Sequence, residues 1–298
     1  MQNIENQKPI KKHPNAPENI KPHPINVKFD DSLPRHWFGG NAFMTHILNT
    51  WTVIFPDAER YFVRWSRKAL QYENLDPKIR KDIQGFIGQE TRHASEHEKL
   101  WELLQKQGYD IRPVLDFIHK VGFDLIENNF PDTWNLAAVA GFEHFTAMFA
   151  EIYFESPELM NTMHPEMKRL FEWHAAEEVE HKAVAFDQLQ AVNDSYLLRI
   201  SVMNLAVILL YGISVANTLY FMLQDRSIFN IKEWAGIWNL FFGEYQLAPR
   251  SVSKFIEYYR PDFHPWEIQN YADAVRVFEN FDNNYSIALS VNTCSNGL

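Results

Sequence analysis

The segment from Phe86 to Trp101, FIGQETRHASEHEKLW, has the period of an amphipathic helix but carries a carboxylate and two imidazoles on its apolar side. Ile83, Phe86, Glu90, His93, His97, Leu100 and Leu104 follow one another at intervals of three or four, which places them on one stripe. Burying a charge without a partner costs several kcal/mol. A chain that does so must bring compensating groups from other helices, and that requirement constrains the fold more tightly than any bulk property.

Three further helical stretches share the anomaly. Glu59 lies on a stripe with Phe55, Phe62 and Val63; Glu143 lies among Val139, Ala140, Ala147 and Ala150; Glu178 lies among Leu170, Phe171, His174, His181 and Ala185. In chain order the polar intruders are Glu59, Glu90-x-x-His93, Glu143 and Glu178-x-x-His181. Glu59 and Glu90 are 31 residues apart and Glu143 and Glu178 are 35 apart, so each half reads as a helical hairpin. Two such hairpins packed antiparallel bring all six side chains to one point. This is the ligand order of ferritin-like di-iron or di-manganese carboxylate bundles. Carboxylates mixed with imidazoles suit iron or manganese, and Glu and His at i, i+3 face the same side of a helix. Two cations held by four carboxylates and two neutral imidazoles come close to neutrality, which makes burial tolerable.

A competing reading makes these residues interhelical ion pairs with Arg60, Arg64, Arg92 or Lys182; it leaves the two matched histidines without a purpose. His97 and His174 also fall on the site faces, as extra ligands, proton relays, orienting partners or ordinary core histidines. His144 is turned about 100° from Glu143, which favours a structural or orienting role. Glu177 competes with Glu178 through an i, i+4 pairing with His181, though the i, i+3 spacing favours Glu178. Glu96, Glu98 and Glu180 read as solvated-face residues, and Phe142, Phe145, Met148, Phe149 and Phe171 as an apolar wall. No pattern marks catalytic residues beyond the ligands, or substrate-binding ones.

Helix-period segments run at about 42–55, 57–73, 77–107, 112–128, 132–154, 165–192 and 195–224, with weaker ones near 231–243, 247–259 and 266–280. Strand-like alternation is nearly absent. The expected fold is all-α, a ferritin-like four-helix bundle with additional C-terminal helices. Residues 1–34, rich in Pro, Asn and Lys, form an extended or disordered arm; 35–194 form the di-metal core; 195–298 form a helical extension packed on it. Within that extension, 200–224 has 25 residues without a charge, long enough to span a bilayer. Ser201, Asn204, Ser214, Asn217 and Thr218 interrupt it, so a buried or interface helix and a membrane-associated one both remain open.

The chain of 298 residues has a formal net charge of −10 and no basic helix, which excludes a nucleic-acid partner on electrostatic grounds. Its one cysteine, Cys294, excludes an intramolecular disulfide framework and a cysteine-rich metal site. With no apolar leader-like run at the start, a cytoplasmic location is expected, peripheral or anchored at the inner membrane if 200–224 engages lipid.

The motifs GQETRHASEH (88–97), AGFEHFTAMF (140–149), WHAAEEVEHKAVAFD (173–187) and YYRPDFHPW (258–266) resemble a bacterial family of predicted metal-dependent hydrolases over about 35–275. The resemblance carries over Glu90, His93, His97, Glu143, Glu178 and His181. It implies hydrolysis with Zn or Mn and a glutamate as general base. The ligand set itself points instead to an O₂-activating oxidase or oxygenase with an Fe/Fe or Mn/Fe pair, acting on a small apolar or lipid-like molecule. A non-enzymatic metal-binding bundle is a third possibility, and a homodimer is compatible with each.

Overall fold

Helix starts follow local capping chemistry. Asn41 accepts the Met44 N–H, Asp76 accepts the Lys78 N–H ahead of Pro77, and Ser195 accepts the Leu198 N–H. The computed structural model describes residues 12–73 and 75–281. Among these the chain is all-α, with one isolated bridge between Phe38 and Met163 in place of any strand. The helices are α1 (Ala42–Ala69), α2 (Pro77–Lys106), α3 (Arg112–Ile118), α4 (Asp132–Phe154), α5 (Pro157–Met160), α6 (Pro165–His181), α7 (Val184–Val192), α8 (Tyr196–Gln224), α9 (Ile231–Phe241) and α10 (Leu247–Glu257). Residues 271–281 are also helical. Cys294 and the rest of 282–298 lie outside the described residues, as do 1–11 of the arm.

Two expected boundaries shift for identifiable reasons. A break at Pro56 is expected from its missing N–H, yet α1 runs straight through it. The carbonyl that Pro56 cannot reach belongs to Thr52, and the Trp101 indole N–H donates to it at 3.2 Å. The single helix expected at 165–192 is broken at Lys182 and Ala183, just after His181. The break turns the buried Lys182 ammonium onto the Ile268 carbonyl (2.6 Å) and the Asn270 side chain (2.7 Å). Beyond α3, residues His119–Glu127 widen into a π-helical turn.

α1 and α2 form one hairpin, and α4 and α6 pack as the second pair. α2 rests on α6 and α1 on α4, which closes a four-helix arrangement; α8 lies across α1 and α4. The arm from 12 to 34 runs over this core and buries Ile25, Val27 and Leu33. It crosses α2 at Gly85 and Gly88: a Cβ at Gly88 would stand 2.9 Å from the Pro22 ring, and one at Gly85 would collide with the Ile20 carbonyl.

Candidate metal centre

The six expected residues converge. α1 supplies Glu59, α2 supplies Glu90 and His93, α4 supplies Glu143, and α6 supplies Glu178 and His181; all are buried. Their ligand atoms fall into overlapping groups in which every atom lies within 4.8 Å of the others: Glu90, His93 and Glu178; Glu90, Glu143 and His181; and Glu59, His93 and His174. His93 Nδ1 stands 3.4 Å from Glu90 and 3.6 Å from Glu178. His181 Nε2 stands 3.2 Å from Glu90, 3.2 Å from Glu143 and 3.4 Å from Glu178. Glu90 and Glu178 therefore lie between the two histidines.

Hydrogen bonding separates the inward atoms from the outward ones. Both carboxylate oxygens of Glu59, Glu90 and Glu143, together with Glu178 Oε2, His93 Nδ1 and His181 Nε2, are buried without a hydrogen-bond partner. Buried polar atoms are nearly always paired, so this concentration of converging lone pairs is what a set of metal ligands requires. The outward nitrogens, by contrast, are engaged. His93 Nε2 meets Glu177 at 2.9 Å, and Glu177 also accepts the His23 N–H at 2.5 Å. His181 Nδ1 donates to Gln89 at 2.9 Å. Such contacts fix ring orientation and leave the other nitrogen facing inward.

Electrostatics agree. Burial, followed by repulsion from neighbouring carboxylates, pushes Glu59 and Glu90 well above the ordinary carboxyl range. Burial and the charge of Glu178 push Glu143 up to about 7. Burial alone would lower His181, but Glu178 and Glu143 outweigh it and raise this imidazole instead. The pocket is thus negative enough to hold a proton at His181, and cations bound by the same atoms would neutralise it.

The ion-pair alternative fails here. Arg60 pairs with Asp57 and Glu98, Arg64 with Glu127, Arg92 with the Ile25 carbonyl, and Lys182 with residues 268 and 270. Among the ambiguous residues, Glu177 orients His93 and leaves Glu178 to the cluster. His97 joins none of the groups: its Nε2 meets His174 Nδ1 at 2.7 Å and its Nδ1 meets Thr52 at 3.3 Å. His174 in turn reaches Glu178 at 2.8 Å and Glu59 at 3.9 Å. His144 points elsewhere and packs on Tyr258, ring centroids 4.7 Å apart.

Sequence pattern missed Gln89, His23 and Thr52, whose roles depend on partners remote in the chain. It also misassigned two glutamates. Glu180 is buried and accepts bonds from Gln89 (2.7 Å) and His23 (3.0 Å); Glu96 is buried beside Lys99.

A cavity of about 600 Å³ reaches the cluster at Glu59, Glu90, His174 and Glu178. Phe142, Phe145, Phe149 and Phe171 line it as expected, whereas Met148 packs in the core beside Phe145. Its few polar wall groups mostly bond within the wall: Tyr61 to Asn135, Thr146 to the Glu143 carbonyl, and Ser214 to Trp51.

A second histidine and carboxylate group, His36, His46 and Asp225, also brings its ligand atoms within 4.8 Å. There Asp225 Oδ2 is met by His36 at 2.8 Å, His46 at 2.7 Å and the Tyr109 hydroxyl at 3.0 Å.

The family model described as predicted metal-dependent hydrolase matches residues 21–269, and the chain belongs to that family. The match favours the hydrolase expectation and offers no support for oxidoreductase chemistry. No curated protein and no solved structure matches the chain.

Proposed function

We propose that this member of the predicted metal-dependent hydrolase family is a ferritin-like dinuclear metal enzyme that oxidises an apolar, lipid-like substrate with O₂. The observation that carries this reading is the set of unpartnered inward atoms that Glu59, Glu90, His93, Glu143, Glu178 and His181 bring together from four helices, opening onto an apolar cavity. That donor set suits iron or manganese, and such a pair supplies electrons for the reduction of O₂. His93 and His181 would each contribute an imidazole to the metals, and Glu90 and Glu178, which lie between the two rings, would contribute carboxylates. Glu177 and Gln89 keep the imidazoles in register. The line His97, His174, Glu178 holds or moves a proton at the edge of the site, next to Glu59. The aromatic wall excludes water and presents the substrate to the Glu59 and His174 side.

Hydrolysis is the second reading, and the family description favours it. Against it, the cavity wall is apolar and offers few hydroxyls or amides not already bonded that could orient a polar substrate. The deciding experiment loads the protein anaerobically with Fe(II) or Mn(II) and then admits O₂. Consumption of O₂ with new near-ultraviolet absorbance supports the oxidase. If the protein never consumes O₂, but its Zn or Mn form cleaves apolar esters under argon, the hydrolase reading replaces it.

A further inference from the structure

The outer surface of α8, α9 and α10 is apolar in a way that the bundle does not explain. On α8 the hydroxyl-bearing Ser214 and Thr218 face inward, bonded to Trp51 (3.1 Å) and set against Thr50 (3.4 Å). The apolar Ile208, Tyr211, Val215 and Leu223 face outward, Ile208 at 69% and Val215 at 58% exposure. Part of the usual amphipathic order is thereby inverted. α9 adds Trp234 and Trp238, the latter 67% exposed, and α10 adds Val252 and Ile256. From Ser227 to Gly243, Lys232 is the exposed charge; Glu233 is buried and accepts the Ala42 N–H at 3.0 Å.

The cavity links this surface to the metal centre. Tyr211, Val215 and Trp234 are exposed and also line the cavity that ends at Glu59 and His174. The mouth therefore opens within the apolar face. A face of this kind exceeds what isolated surface residues produce and marks a docking site. Tryptophan and tyrosine around a charge-poor face suit the boundary between headgroups and acyl chains. α8 is long and apolar enough to cross a membrane by length and composition, but it buries Val202, Met203, Ala206, Phe221 and Met222 and packs along α1 and α4. A helix held in this way lies on a bilayer rather than crossing it.

We propose that the outer face of α8, α9 and α10 seats the protein in one leaflet of a lipid bilayer, with the cavity mouth open to the acyl chains so that substrate enters from the lipid. The entry route rests on the reading of the cavity as the substrate chamber. An apolar molecule then reaches the metal centre without passing through water, and the protein is a peripheral membrane enzyme.

The test is flotation of the full-length, metal-loaded protein with phosphatidylcholine vesicles, comparing the native chain with the double variant Ile208→Glu, Trp238→Glu. Neither position lines the cavity or touches a ligand. The native protein is expected to float, and the double variant to lose about tenfold or more of its vesicle binding while keeping its metal content and melting temperature. Retention of the native protein in the aqueous phase overturns the proposal. So does a concentration-dependent dimer that the same substitutions dissociate, with no vesicle binding, since the face then belongs to a second copy. Metal retained without flotation removes the membrane seat and leaves the enzyme reading standing. Flotation without metal retention supports the seat and removes that reading.

Discussion

At Asp225, two imidazoles and a tyrosine hydroxyl converge on one carboxylate oxygen, and each contact falls at hydrogen-bonding distance. At Glu90, two imidazole nitrogens approach at 3.4 and 3.2 Å, yet neither carboxylate oxygen has a hydrogen-bond partner. Both clusters contain the residue types that bind metals. They differ in what their lone pairs already have. Burial pushes the Asp225 carboxyl up, and hydrogen bonds from His46, Ser227 and His36 more than reverse it. At Glu90, burial and repulsion from Glu143 act together, and the attraction of His181 only partly offsets them. A satisfied cluster stabilises a junction, whereas an unsatisfied one costs free energy until a ligand arrives.

The largest expected effect tests that contrast directly. Glu90→Ala removes the carboxylate shared by both histidine groups, so metal analysis should find both ions lost. Turnover should fall about a thousandfold, as expected for losing roughly 4 kcal/mol of transition-state stabilisation. Next, Glu177→Gln leaves all six inward groups in place but loosens His93. Chelator competition should show metal affinity weaker by about 10- to 100-fold.

The third prediction concerns pH. Glu143 is raised to about 7, so below that value a proton competes with the metal for its oxygens. Binding displaces the proton, and apparent affinity should therefore rise with pH through 7, by about tenfold per unit for each proton released, and keep rising above it while His181, raised by the same carboxylates, still holds a proton. An affinity that falls as pH rises through 7 would contradict the assignment.

At the other cluster, Asp225→Asn should leave the metal content unchanged and cost about 1–3 kcal/mol in denaturant unfolding, through donors left poorly paired. Loss of metal in that variant would erase the distinction between the two clusters. The smallest effect is expected for Trp101→Phe, which deprives the Thr52 carbonyl of its donor beside Pro56. It should cost about 1 kcal/mol and leave the metal untouched.

Much of the site was legible in the chain because helical periodicity is a local property. Glu59, Glu90, His93, Glu143, Glu178 and His181 stand out by interrupting apolar stripes at intervals of three and four, and the repeated Glu-x-x-His gives their order away. Exposure could not be read in the same manner. Glu180 sits on a stripe that looks solvated, and it is buried because the arm and the helical segment at 271–281 cover it through His23 and Tyr271. Pro56 looks like a helix break because the donor that replaces its missing bond comes from Trp101, 45 residues away.

What the sequence determined by itself was the all-helical class and the glutamates and histidines that interrupt the apolar stripes, since both follow from φ/ψ preference and side-chain period within a few turns. The tertiary structure decided the rest. It paired Glu177 with His93, set His97 behind His174, satisfied Asp225 while leaving Glu90 unpaired, and turned the apolar side of α8 outward. Each of these depends on distances between groups far apart in the chain, and no local pattern contains them.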